Sequence, residues 1–416
     1  MIALADVLPT DPDCDPDYPK KITFSDVSSA AFNIKNGVVR TPCSKSINLS
    51  KTLDMDLFFK KEYMQVTGSF KERGARYALT KLNSEERERG VVAASAGNHA
   101  LALSYHGQQL NIPVTVVMPV FAPLMKIGMC RSYGATVILK GDNLGKAKEH
   151  AMRLAMEKNY KYINGYDAPN ILAGQGTIGL EILEQVPDVE AVIVPVGGGG
   201  LIAGVAVAVK TLKPAVKIIA VESETCAAFT EAYNVGKPVP VNARSCLADG
   251  LAVPLVGGNA LATVQGLVDR TVSCPFGILD AVSNVLYKNH VTAVVWCPQV
   301  LPIDNQMDRK GVVSILSGGN IDTTVLGRTI ERGLAVDSRL IRVEVVVSDR
   351  PGGIAELTTR IAQIGASIKD IFHERAWIAT DVFSVRVKVV AETRNREHVV
   401  ELEEMLRSKY EDVRIS

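Results

Sequence analysis

Val194–Gly204 reads VPVGGGGLIAG, and four consecutive glycines between two apolar runs admit few structures. A short buried strand over Ala191–Val196 delivers the chain to a loop without Cβ atoms, and Leu201–Leu212 continues as a helix. Such a loop brings backbone N–H groups close to an anion, and the positive end of the helix dipole favours the same charge. That geometry makes a phosphate cradle. A tight strand-to-helix turn that holds nothing uses the same residues. So does a dinucleotide-binding turn, because Gly198-x-Gly200-x-x-Ala203 fits its glycine fingerprint and Glu222 ends the next apolar run, Lys217–Val221. Ala191–Val209 carries no charge, yet Pro195 and the glycines would leave backbone groups unsatisfied in lipid, so no membrane span is expected.

The rest of the chain alternates strands and helices, which predicts an α/β fold with parallel sheets and sites at the carboxyl ends of strands. A capped helix is expected from Phe24 to about Gly37, and a strand at Leu57–Lys61. Ser69 is placed to cap a helix that begins in GSFKERGA (Gly68–Ala75). A lysine on a helix face is ordinarily solvated, but Lys71 falls in the first turn, where a cation opposes the dipole, so the sequence accepts a local cost there. Gly90–Ala94 reads as a buried strand, followed by Ser95-Ala96-Gly97-Asn98-His99 opening a second helix. Pro113–Pro119, Ala135–Leu139 and Tyr162–Asn164 continue as strands between helices at Pro123–Arg131 and Lys146–Lys158. Val312–Leu316 is a buried strand running into Ser317-Gly318-Gly319-Asn320, by itself an ordinary turn.

At 416 residues there is room for two or three domains. The 46 basic and 45 acidic residues leave a net charge of +1, which supplies no field for nucleic acid or a membrane surface. The cysteines, Cys14, Cys43, Cys130, Cys226, Cys246, Cys274 and Cys297, are scattered and form no C-x-x-C pair, as in a reduced, cytoplasmic protein. Asp6, Asp11, Asp13, Asp15 and Asp17 argue against a secretory or transit leader. Residues 1–20 are expected to be a flexible lead-in. After Arg339 the composition shifts. Strands at Leu340–Ser348, Ser367–Arg375, Phe383–Val390 and Asp412–Ser416, with helices at Ile354–Ile364 and Arg396–Ser408, give a βαββαβ order, a ferredoxin-like module on its own core.

GSFKERGA, SAGNHA, AGQGTIGLEI (Ala173–Ile182), VPVGGGGLIAG, Ala248-Asp249-Gly250 and LSGGNID (Leu316–Asp322) occur in the order and at about the spacing seen in pyridoxal-phosphate-dependent threonine/serine dehydratases. The dinucleotide reading explains none of the other motifs and is set aside. The resemblance covers about residues 38–330 and implies a two-lobed, fold type II catalytic domain over 21–330, with its small lobe at about 75–180. It implies that Lys71 forms the Schiff base with pyridoxal phosphate, Phe70 packs by the ring and Asn98 bonds the phenolic oxygen. Gly197, Gly198, Gly199 and Gly200 would hold the phosphate, and Ser317 would meet the pyridine nitrogen. Ser95, Gly97 and the amides around Asn98 and His99 would hold the carboxylate of a small amino-acid substrate. Lys71 would then move the Cα proton, the β-hydroxyl would leave, and the product would hydrolyse to a 2-oxo acid and ammonia. A homodimer or homotetramer is expected.

Residues 340–416 resemble an ACT domain, with Asp349, Pro351 and Gly352 at the turn where such domains often hold an amino-acid effector. Related serine racemases carry a serine where this chain has Ala96, whose methyl group cannot exchange a proton, so a dehydratase with little racemase activity is expected. A racemase-like enzyme, or a silent amino-acid sensor on the same fold, is the alternative. Glu222 matches a carboxylate that holds a divalent cation in some relatives, but Ala228 stands where the second is needed, and no metal site is expected. Asn164-Gly165-Tyr166-Asp167 replaces a common His-Pro-Phe-Asp run. Lys288–Gly311 lacks the Glu-Gly turn of relatives, and Trp296-Cys297-Pro298 and Pro302 interrupt any helix. Because helix, turn and composition fail together between intact flanks, a shifted reading frame in the sequence is favoured over a rebuilt pocket wall, with poor folding of this stretch expected.

Overall fold

The computed structural model describes residues 11–244, 248–274, 311–376 and 382–416. The chain divides into two compact units, Met1–Asp322 and Thr323–Ser416. Strands in chain order are β1 (Cys43–Lys45), β2 (Leu57–Lys61), β3 (Val91–Ala94), β4 (Val114–Met118), β5 (Thr136–Leu139), β6 (Lys161–Tyr162), β7 (Ala191–Pro195), β8 (Lys217–Ser223), β9 (Arg270–Cys274) and β10 (Val312–Leu316) in the first unit. The second holds β11 (Leu340–Ser348), β12 (Ser367–Glu374), β13 (Ser384–Glu392) and β14 (Val413–Ile415). The expected frame irregularity at 288–311 lies, apart from Gly311, outside the described residues.

The first unit has two sheets and therefore two lobes. One sheet runs β5-β4-β3-β6, all parallel. The other runs β1-β2-β10-β7-β8-β9, parallel except for β1 against β2. Parallel strands need crossover helices on both faces, which is why β4 and β7 are buried throughout and read as unbroken apolar runs. The helix Gly200–Leu212 is buried through Val209 and has no polar face until Lys210. It crosses the helix Pro169–Gln185 where a Cβ on Gly204 would lie 2.4 Å from the Gly176 nitrogen, so only glycine allows this approach. The apolar core of this lobe gathers on those two helices, β7 and β8.

Register puts the motif loops at the same ends of their strands. Leu316 pairs with Lys61 and Pro195 with Val221, so Ser317 and the glycine loop both leave the sheet at its carboxyl edge. In the smaller sheet Ala94 pairs with Val117, and Ser95 leaves at the matching edge.

Two expectations are corrected. Residues 11–20 do not lie free: Lys161 meets Asp13 at 2.5 Å, Asn259 Nδ2 donates to the Asp13 carbonyl at 2.6 Å, and the Lys20 N–H donates to Asn259 Oδ1 at 2.6 Å. The lead-in is thereby tied to both lobes. The boundary between units falls after Asp322 rather than near 330, because the helix Thr323–Val336 belongs with the second unit.

In the second unit the sheet order is β12-β13-β11-β14, antiparallel throughout, the ferredoxin-like arrangement. Val343, Val345 and Val347 alternate inward against Val385, Val387 and Val389, and Leu357, Ile361, Leu402 and Leu406 of two helices complete the core. Period-two alternation with one covered face accounts for the legibility of these strands.

Candidate active site

Lys71 opens the helix Lys71–Thr80. Ser69 does not cap it: the residue before the helix is Phe70, in helical conformation, and no side chain caps the helix. Ser69 is instead drawn into a bridge with Gly318, the Phe70 N–H donates to the Ser317 carbonyl at 3.0 Å, and the Gly319 N–H donates to the Gly68 carbonyl at 2.9 Å. The turn after β10 therefore clamps the turn before Lys71. Asn320 extends the clamp, donating from Nδ2 to the Thr67 carbonyl at 2.6 Å and to Asn98 Oδ1 at 2.9 Å. Sequence reading saw SGGN as a motif but assigned nothing to Asn320.

The Lys71 amine donates to the Gly165 carbonyl at 2.5 Å and lies 5.2 Å from the Phe70 ring centroid. Burial pushes its pKa down from 10.5 to about 8, so a sizeable fraction is neutral near physiological pH. His99 Nε2 donates to the Ile163 carbonyl at 3.2 Å, which leaves Nδ1 unprotonated. Burial and then the Lys71 charge push the imidazolium down to about 3, and the ring is neutral.

Asn98 starts the helix Asn98–Leu110, with Gly97 before it and Ser95 Oγ accepting the Gly97 N–H at 3.3 Å. On the other side Gly199, at φ +92°, turns the chain into the helix that begins at Gly200. The Tyr166 ring covers this loop, since a Cβ on Gly198 would lie 2.4 Å from it, and Gly197 lies against the Gly250 carbonyl. Lys71, His99, Asn98, Ser317 and the glycine loop thus belong to one connected set, joined through Gly165 and Tyr166. Glu222 accepts the N–H groups of Phe229 and Thr230 at 2.9 and 3.0 Å, at the start of the helix Ala228–Val235. Asp349 is in the second unit, held by Arg375 at 2.7 and 2.9 Å, which keeps its carboxyl below the usual range, and Gly352 at φ +100° precedes the helix Gly353–Gln363.

Beneath the site lies a charge cluster that sequence reading missed, because charged residues on helices and strands normally face water. Arg73 donates to both oxygens of Glu62 at 2.8 Å and to Glu181 at 2.7 and 2.9 Å. Lys60 donates to Glu181 at 2.5 Å and to the Thr41 carbonyl at 2.6 Å. Arg73, Lys60 and Glu62 are fully buried.

The residues present fit pyridoxal phosphate. A buried amine of depressed pKa is joined through Gly165 and Tyr166 to a glycine loop at a helix N-terminus, where backbone N–H groups have no partner within the helix. The buried Thr67 Oγ1, Ser69 Oγ and His99 Nδ1 also have no hydrogen-bond partner among the described residues. Residues 34–278 match the family described as "Pyridoxal-phosphate dependent enzyme". The L-threonine ammonia-lyase of Thermotoga maritima is 40% identical over 95% of this chain and 99% of its own length. Threonine deaminase isoform 2 of Solanum lycopersicum superposes with a TM-score of 0.68 at 33% identity, over 78% of this chain and 99% of that one. Maize serine racemase superposes with a TM-score of 0.69 at 28% identity, over 76% of this chain and 99% of that one. The chain belongs to the pyridoxal-phosphate-dependent enzyme family, in its two-lobed fold type II form, and depends on that cofactor.

Proposed function

We propose that this enzyme is an L-threonine ammonia-lyase that also accepts L-serine, releasing 2-oxobutyrate or pyruvate with ammonia. The observation that carries the reading is the 40% identity to the Thermotoga enzyme over nearly the full length of both chains, together with a buried lysine amine at the expected motif. Lys71 would anchor the cofactor, and its amine would take the proton from the substrate Cα. When bound, pyridoxal phosphate supplies the sink for the electrons left at Cα. The N–H groups of Gly197–Gly200 would hold its phosphate, Phe70 would pack beside its ring, Asn98 would bond its phenolic oxygen and Ser317 would meet its pyridine nitrogen. Ser95, Gly97 and the amides around Asn98 and His99 would hold the substrate carboxylate at the second helix N-terminus. Ala96 offers no proton to the opposite face of Cα, which favours elimination over racemisation.

The second unit is proposed to be an ACT-like regulatory domain that binds a small amino acid at Asp349, Pro351 and Gly352, in a cytoplasmic homo-oligomer. Among the described residues no helix is long and apolar enough to cross a membrane. The test is 2-oxo acid release from L-threonine and L-serine, with and without branched-chain amino acids or nucleotides, alongside a D-serine assay. Turnover of L-threonine with little D-serine is expected. No 2-oxo acid from either substrate overturns the reading, and D-serine formed as fast as pyruvate replaces it with a racemase.

A further inference from the structure

We infer that Gly165 and His99 are a volume-matched pair that positions the Lys71 amine, the ring of one filling the space that a side chain on the other would need. The inference deepens the reading of Lys71 as the cofactor-anchoring lysine and rests on it in its functional part. A Cβ added at Gly165 would lie 2.6 Å from His99 Cγ and Cδ2 and 3.0 Å from His99 Cβ, closer than carbon atoms approach. The ring has little room to retreat, being only 5% exposed and tied through Nε2 to Ile163. The backbone at 165 is equally constrained. Asn164 Oδ1 accepts the N–H groups of Tyr166 and Asp167, both at 3.1 Å, and Asp167 Oδ1 accepts the Ala260 N–H at 2.9 Å. Asn259 Nδ2 donates to the Asp167 carbonyl at 2.9 Å, binding the segment to the larger lobe.

A segment held at both ends transmits any displacement at 165 in two directions. One leads to the carbonyl that accepts from Lys71, the other through the Tyr166 ring to Gly198. Gly165 and His99 are thus positioning residues, and in this chain a side chain at 165 would displace either the ring or the carbonyl that the amine meets.

The experiment uses the full chain as wild type, Gly165→Ala, His99→Ala and the double variant, stripped of cofactor and then mixed with pyridoxal phosphate. Capture is followed by the visible absorbance of the bound cofactor across pH, and Tm is measured in parallel. Wild-type capture should rise with pH around a midpoint near 8, where the amine loses its proton. Gly165→Ala should capture at least about tenfold more slowly, as small displacements of a reacting group do. Its midpoint should fall, because an ammonium that loses its carbonyl acceptor gives up its proton more readily. In the double variant, Tm and capture rate should return to those of His99→Ala alone. Wild-type behaviour in Gly165→Ala, or effects that simply multiply in the double variant, would overturn the pairing. If Gly165→Ala does not fold, the double variant decides: folding as well as His99→Ala supports the pair, and failure to fold refutes it. Absence of capture by wild type would sink the cofactor role of Lys71, while the Tm comparison would still decide the pairing.

Discussion

At the scale of single residues the proposed chemistry turns on the Lys71 amine. Its pKa near 8 has one cause, burial, and the neutral fraction it provides is what an attacking or proton-moving amine needs. Lys71→Ala should abolish turnover and the visible absorbance of bound cofactor together, because the proposed mechanism gives both tasks to one amine. Retention of wild-type turnover in that variant would remove Lys71 from the mechanism. His99 contributes through neutrality: with Nε2 committed to Ile163 and the imidazolium disfavoured by burial, it puts no second cation beside the amine.

At the scale of elements, the helix Lys71–Thr80 is held from below by charge. Burial raises the Glu62 pKa, but the Arg73 charge and hydrogen bonds outweigh it and hold the carboxyl below its ordinary 4.5. Its contribution is therefore fully present above about pH 4.5 and lost as pH falls through the lower folded value. Arg73→Met would leave Glu62 buried without its paired cation, with Thr41 and Gln65 as hydrogen-bond donors and Lys60 as the nearby charge, at a cost of up to about 3–5 kcal/mol. The expected outcome is a large fall in Tm at neutral pH that narrows in acid, where Glu62 accepts a proton in both proteins. A loss of the same size at every pH would show that Arg73 acts by packing rather than by charge. This cluster was illegible in the sequence because Lys60, Glu62, Arg73 and Glu181 come from four separate elements, and their spacing along the chain carries no sign of convergence.

At the scale of the whole molecule, the second unit builds its core from its own strands and helices, from Ile341 to Val413. A protein ending at Asp322 should accordingly fold, bind cofactor and turn over substrate, and lose its response to amino-acid effectors. Thermal melting and effector titration of the truncated chain check this, and full effector sensitivity in it would move the effector site into the first unit.

The sequence by itself determined the elements. Strands buried on both faces read as unbroken apolar runs, β11 and β13 read by alternation, and the glycine run at 197–200 fits only a strand-to-helix turn without Cβ atoms. It also picked out the motif residues, because Lys71, Asn98, Ser317 and the glycines sit in short, composition-biased stretches. Only the tertiary structure decided how those stretches meet. Ser69, placed locally to cap a helix, is taken by a bridge to Gly318, since a long-range backbone pairing outweighs one side-chain cap. Asp13, in a stretch that reads as free polar chain, joins Lys161 and Asn259 across the lobes. Gly165, which looks locally like any turn glycine, packs against a histidine ring 66 residues earlier in the chain. Local propensity is written in neighbours along the chain, whereas these contacts join residues whose proximity exists only after the sheets have formed.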